Sequence, residues 1–258
     1  MANQINLNAD MGEGFGAYDI GNDAELLTIV TSANVACGFH AGDPNVMHRV
    51  VTQAKERGVS IGAHPGFNDL WGFGRRRIEM KPSEVEYMIA YQIGALQAIG
   101  TLVGVKVTHV KAHGALNNMA AVEADLALAI GRAIKAVDRN LIYLALAGSE
   151  MEKAGEKLGL PVAREAFVDR LYEDDGNLTP RKIPGAVIKD ATFASERAVR
   201  MVLDQAIVSR HGKKMPTRID SLCVHGDEPT AIAVARAARA ALETAQVRVV
   251  PLTAMGIA

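Results

Sequence analysis

This chain has almost no material for disulfide bonds. Its 258 residues include two cysteines, Cys37 and Cys223, far apart and each in an apolar context. That excludes a disulfide framework and a CxxC metal knuckle. An excess of charge is missing too: 28 basic residues face 29 acidic ones, for a formal net charge of -1. No global field then draws the protein to nucleic acid or to a membrane surface. Long apolar runs are absent, the longest being Leu141 to Gly148, far short of a bilayer span. The opening stretch, MANQINLNAD, has neither the basic start nor the apolar core of a secretory signal. A cytoplasmic protein that binds neither nucleic acid nor membrane is the expectation. Two nucleotide motifs are also lacking. No GxGxxG follows the first apolar strand, which counts against a doubly wound dinucleotide fold. No Walker A pattern, GxxxxGK(S/T), occurs anywhere, so any nucleotide used binds in another way or on another chain.

What is present is a regular succession of short apolar runs and helical patterns. Ile5 to Asp10 alternates strictly, with Ile5, Leu7 and Ala9 on one side and Asn6, Asn8 and Asp10 on the other. Further strands are expected at Ser32 to Ala36, Val59 to His64, Val107 to Lys111, Leu141 to Ala145, Val162 to Ala166 and Ser221 to Val224. Val247 to Val250 could close the sheet as an eighth strand. Between them fall helices from Asp23 to Val30, Asp43-Pro44 to Arg57, Ser83 to Leu102, Val122 to Val137 and Ser149 to Leu158. Two more run from Thr192 to Arg210 and Pro229 to Thr244. Asp43 before Pro44 has the form of an N-cap, and Ser83 with Glu86 and Ser149 with Glu152 read as capping boxes. Asp169 to Pro184 is polar and reads as a long loop. Seven or eight β-then-α units without a linker predict one parallel barrel over residues 1–258.

The residues that end the strands carry the chemistry. Asp10 and Glu13 follow the first strand, with Asn34 on the second and His40 after it. His64 ends the third strand, His109, Lys111 and His113 mark the fourth, Glu165 and Asp169 the sixth, and His225 and Asp227 the seventh. Five of the seven histidines lie at such ends, and in a parallel barrel those ends share one rim. His109, Lys111 and His113 share strand parity. Asp10, His64, His109 and His113 could hold a divalent metal, or serve with His40 and Lys111 as acid, base and oxyanion donors without one. After His64, the glycine-rich loop through Trp71 ends in Arg75, Arg76 and Arg77. This triplet is either a solvated loop face or an anion site, with Arg75 and Arg76 as candidates for phosphate or carboxylate. Glu13, Asn34, Glu165 and His225 join them as candidate substrate contacts. Asp43 and Asp227 read rather as plain N-caps, and Cys37 as a buried structural thiol rather than a nucleophile.

Several of these blocks are long and unusual: LNADMGEGFGAYDIG from Leu7, TSANVACGFHAGDP from Thr31, IGAHPGFNDLWGFGRR from Ile61 and HVKAHGAL from His109. With DRLYEDDGNLTPRKIPGAVI from Asp169 and CVHGD from Cys223, the chain resembles the LamB/YcsF family over essentially its whole length. The resemblance implies a distorted, TIM-like β/α barrel similar to polysaccharide deacetylases. It also implies the A subunit of an ATP-dependent 5-oxoprolinase, which opens 5-oxo-L-proline to L-glutamate with ATP hydrolysis and with B and C subunits as partners. Two positions depart from the family pattern: Ala112 stands where proline is usual, and Asn117 where tyrosine is usual. A stand-alone metal-dependent amidohydrolase or deacetylase is the alternative, and a non-catalytic lactam- or sugar-binding subunit is the third reading.

Overall fold

Strict alternation at the N-terminus gives a strand with an apolar outer face and a polar inner one. In the computed structural model, which describes residues 4–226 and 229–257, β1 (Gln4–Met11) buries Ile5, Leu7, Ala9 and Met11 completely in the hydrophobic core. Then come α1 (Asp23–Leu26), β2 (Ser32–Ala36), α2 (Pro44–Glu56), β3 (Ser60–His64) and α3 (Pro82–Val103). They are followed by β4 (Val107–Val110), α4 (Gly114–Ala120), α5 (Ala124–Val137), β5 (Ile142–Leu146), α6 (Glu150–Leu158) and β6 (Val162–Phe167). The chain continues through α7 (Ala191–Asp204), β7 (Ala206–Val208), β8 (Lys214–Pro216), β9 (Ser221–Val224), α8 (Ala231–Thr244) and β10 (Arg248–Val249). β1, β2, β3, β4, β5, β6 and β9 pair in parallel in that order, and β9 returns to β1 to close a seven-stranded barrel. The helices supply the outer layer. On α2, Val46, Met47, Val50, Val51 and Ala54 form one buried stripe. Among the described residues no helix is long and apolar enough to cross a membrane.

The local signals place most element starts. Asp43 caps α2, its Oδ1 accepting from the backbone of Asn45 at 2.8 Å and Val46 at 3.0 Å, and Ser149 accepts from Met151 at the start of α6. Other expectations are corrected. β10 does not close the barrel, because β9 already occupies β1 from Asn6 to Ala9. Only Gln4 and Ile5 remain for β10 to pair with. α3 starts at Pro82, where Glu84 accepts from the Lys81 N–H, while Glu86 instead accepts from Arg132. The box expected at Ser149 also differs, since Glu152 accepts from the Gly148 N–H. The helix expected to reach Arg210 stops at Asp204; Gln205 turns left-handed at φ 45 and the chain enters an antiparallel β7–β8 hairpin. α4 is additional, beginning directly after His113.

The barrel lumen is polar along β1, β2 and β9, while Ile142, Leu144 and Ala163 give it an apolar side at β5 and β6. At the bottom, Asn6 donates to Ser32 at 2.8 Å and Ser221 donates to Asn6 at 2.7 Å. One layer higher, Asn8 donates to Ser221 and Glu165, and Asn34 donates to Asn8 and Asp10. Buried polar groups are tolerable because each finds a partner. Small residues leave the room. A Cβ on Gly62 would lie 2.2 Å from the His109 ring, which is itself held between Asn34 and Thr108. Gly62→Ala is therefore expected to cost about 1–3 kcal/mol through overpacking, read as a lower urea midpoint. A variant as stable as wild type would show that the lumen has slack.

Candidate active site

At the C-terminal rim of the barrel the polar column ends in an ion cluster. Lys111, 2 % exposed, places Nζ 2.8 Å from Asp10 Oδ1, 3.1 Å from Glu165 Oε1 and 2.9 Å from Cys223 Sγ. Burial would raise the Asp10 carboxyl, but the charges of His64 and Lys111 outweigh it and hold it well below the usual carboxylate range. Burial would likewise strip Lys111 of its proton, yet Asp10, Cys223 and Glu165 push the ammonium well above its ordinary value. Glu165 gains less from the shared cation, and burial leaves its carboxyl raised. The result is a fixed Asp10–Lys111 ion pair at the floor of the site.

Beside it lies a histidine cluster. His64 Nε2 is 3.4 Å from Asp10 Oδ2 and 3.0 Å from His113 Nδ1. His113 Nδ1 is 3.4 Å from Glu13 Oε1, and His40 Nε2 is 3.5 Å from the same oxygen. His40 stacks on His113 with ring centroids 3.7 Å apart. Burial pushes both His40 and His113 well below their ordinary imidazole values. Phe73, at a left-handed φ of 54, aims its carbonyl at His113 Nε2, 2.8 Å away. The loop fits this closely only because residue 74 is glycine: with φ +63, a Cβ there would lie 2.7 Å from His40. Glu13, His40, His64 and His113 each offer one ligand atom, all within 4.8 Å of one another, a set that could hold a metal ion.

Above these groups opens a cavity of about 500 Å³. Asp10, His64, Lys111 and His113 line its floor, and Arg75, Asn117, Phe167, Arg170, Arg181, Lys182 and His225 its walls. Arg75 therefore faces the cavity, with its guanidinium 4.9 Å from the Phe73 ring. Arg76 does not line it. It is bound instead to buried Asp69, which also accepts from the Gly72 N–H, so Arg76 shapes the loop rather than the cavity wall. Arg77 pairs with Glu79 and Glu123 on the surface. The group that could hold a metal ion differs from the expected one at two positions: Glu13 and His40 join His64 and His113, while Asp10 is paired with Lys111 and His109 sits a layer lower in the lumen, with burial pushing it down to about 3. Asn34 and Glu165 lie beneath the floor as supports. Cys37 donates to the Val35 carbonyl, and burial pushes its thiol up to about 12, leaving it inert. Asp227 lies outside the described residues.

Sequence reasoning missed three of the four cations of the wall. Arg170, Arg181 and Lys182 belong to the segment read as a long polar loop; bridges between Arg170 and Val187 and between Tyr172 and Leu178 fold it back over the rim. Its signal was one cation, Arg170, close behind a strand end, and a pair, Arg181 and Lys182, later in the same loop. Asp169 was noted only as a strand-end carboxylate. It is buried, with both oxygens 3.0 Å from His225 Nδ1, and burial would raise it but His225 holds it below its ordinary value.

A closed parallel barrel with an ion pair, a histidine cluster and a cationic cavity gathered on one rim carries its candidate site where α/β barrels carry theirs. The chain belongs to the LamB/YcsF family, whose model matches residues 5–256. It is 56% identical over 249 residues to the 5-oxoprolinase A subunit of Rhodopseudomonas palustris, covering 96% of this chain and 98% of that one. Among solved structures, the lactam utilization protein from Thermus thermophilus is 46% identical with a TM-score of 0.90, over 96% of this chain and 99% of that chain. The expected likeness to deacetylases holds at the level of fold. The catalytic domain of peptidoglycan N-acetylglucosamine deacetylase from Eubacterium rectale superposes with a TM-score of 0.50 at 10% identity, over 96% of this chain and 87% of that one.

Proposed function

We propose that this chain is the A subunit of an ATP-dependent 5-oxoprolinase and that its rim opens the ring of 5-oxo-L-proline, with B and C subunits as partners. The observation that carries this reading is the cavity over Asp10 and Lys111 walled by Arg75, Arg170, Arg181 and Lys182. Support comes from relatives that bear the name of the 5-oxoprolinase A subunit. The substrate is a small carboxylate whose lactam is unstrained and therefore a poor electrophile. Phosphorylation of the lactam oxygen by ATP makes the ring carbon electrophilic and adds a second anionic group. The cations of the wall suit both anions. No Walker A loop occurs in this chain, so the ATP binds here in another way or on a partner subunit.

Water then adds to the activated ring carbon as a base takes its proton. The ring nitrogen receives a proton as the C–N bond breaks, leaving glutamyl phosphate, and a second water releases phosphate and glutamate. His225 is our candidate for moving the proton: Asp169 holds its Nδ1, which leaves Nε2 as the other ring nitrogen of a cavity-lining residue. Lys111 places a fixed positive charge where negative charge develops on oxygen. Asp10 holds Lys111 in place from beneath.

The test is 5-oxoproline-dependent ATP hydrolysis by the purified chain with and without the B and C subunits. Turnover only in the complete mixture is expected. ATP hydrolysis that never depends on 5-oxoproline would overturn the assignment. The histidine cluster favours a second reading, a metal-dependent amidohydrolase, which predicts product without ATP or partners in the same assay.

A further inference from the structure

Two backbone carbonyls fix the tautomers of two facing histidines. His64 Nδ1 lies 2.8 Å from the Lys111 carbonyl, and His113 Nε2 lies 2.8 Å from the Phe73 carbonyl. A carbonyl only accepts, so both of those nitrogens carry the proton. The remaining nitrogens, His64 Nε2 and His113 Nδ1, then point lone pairs at each other across 3.0 Å. Two lone pairs do not rest that way without a cation between them, either a metal ion or a shared proton. Around the same point stand the Glu13 carboxylate, 3.4 Å from His113 Nδ1, and the Asp10 carboxylate, 3.4 Å from His64 Nε2. His40 is 1 % exposed, and neither of its ring nitrogens finds a hydrogen-bond partner among the described residues. A buried imidazole with two idle nitrogens is costly unless something occupies one of them.

We propose that Glu13, His40, His64 and His113 hold one divalent transition-metal ion, with zinc the best match to a site of three imidazoles and one carboxylate. The spacing fits. Donor atoms bonded to zinc at about 2.1 Å lie about 3.4 Å apart in a tetrahedral shell; three of the edges here run from 3.0 to 3.5 Å, and all four donors lie within 4.8 Å of one another. The surroundings fit as well, because metal-bound histidines characteristically donate their other ring N–H to a carbonyl or carboxylate. His64 and His113 both do so. His40 lies parallel to His113, with its Nε2 3.5 Å from the Glu13 carboxylate oxygen of the same set. Soft thiolate ligands are absent from the cluster, which disfavours copper(I) and iron–sulfur chemistry. The ion borders the cavity through His64 and His113, where it supplies a Lewis acid.

The site stands independently of the ring-opening assignment, since its readout needs no substrate. The full chain is stripped with dipicolinate and titrated with cobalt(II), followed by visible absorption, and zinc content is measured on separately reloaded protein. One equivalent per chain with the d–d bands of a low-symmetry site is expected. His113→Ala and Glu13→Gln should each weaken binding at least about a hundredfold, and His211→Gln, on the exposed hairpin turn, should leave it unchanged. Wild-type protein that binds no cobalt or zinc at micromolar concentration overturns the proposal. So does binding that survives in both cluster variants. Imidazole 15N shifts of His64 and His113 keep the question decidable if a variant fails to fold. Shifts unmoved by one equivalent of zinc would mean that the two rings share a proton instead.

Discussion

Lys111→Met is expected to destabilise the fold by about 3–5 kcal/mol, because it removes the ammonium shared by two buried carboxyls. The aliphatic stem is nearly preserved, so little packing is lost. What remains is Asp10 and Glu165 within reach of one vanished cation, 5 % and 1 % exposed. The pH dependence gives the prediction its sign. In the wild type the Asp10 carboxyl lies below its ordinary 3.8, so its contribution to stability is present above that value and lost as pH falls through the folded one. Without Lys111 the balance tips to burial, both carboxyls rise, and the folded variant binds protons that the unfolded chain has released. Its stability then falls as pH rises above about 4. Urea unfolding at pH 5 and pH 8 should show the gap to wild type widening with pH, and adding Glu165→Gln should narrow it at pH 8. A variant within about 1 kcal/mol of wild type at pH 8 would mean that the ion cluster is not what organises the floor.

Much of this was legible in the chain, for identifiable reasons. The alternation from Ile5 to Asp10 gave the direction of β1 and therefore which groups enter the lumen, since a two-residue period leaves no choice once one face is apolar. Residues that end strands were sound markers of the rim because parallel strands all point one way. Depth was not legible. His109, Lys111 and His113 share parity, but each two-residue step along a strand moves about 6.6 Å. His109 thus sits one layer beneath the site and His113 in it. Parity is likewise no guide in loops: among Arg75, Arg76 and Arg77, each points to a different partner because the chain there is not a strand. His40 follows a turn after β2, and only the tertiary approach of Gly74 seats its ring on His113. The extension of α7 failed for a similar reason. Ala206, Ile207 and Val208 continue an apolar pattern that suits helix and strand alike, and pairing with Lys214 to Pro216 decided between them.

His225→Gln, assayed with the B and C subunits, is expected to lower kcat by about 10²–10⁴-fold while leaving KM for 5-oxoproline within a few-fold. The reasoning rests on the Asp169 contact. Its carboxylate receives the Nδ1 proton of His225 at 3.0 Å and also accepts from the His225 backbone N–H at 3.2 Å. The ring is thereby fixed as the tautomer whose Nε2 carries a lone pair. It is also held flat against Phe167, with centroids 5.2 Å apart. Glutamine can keep the contact to Asp169 but cannot accept and return a proton, so it separates positioning from proton transfer. Asp169→Asn probes the same step from behind. Its amide can donate to Nδ1, which would drive the proton to Nε2 and abolish the base without removing the imidazole. Comparable losses in kcat for the two variants, with unchanged KM, are therefore the expected signature. A purely structural role for His225 would act differently: loosening the wall beside Phe167 would raise KM and lower the urea midpoint while kcat stayed near wild type. If that pattern appeared, proton transfer would have to pass to the groups on the floor. Lys111 and Asp10, locked to each other as an ion pair, could serve it only by breaking the contact that defines the site.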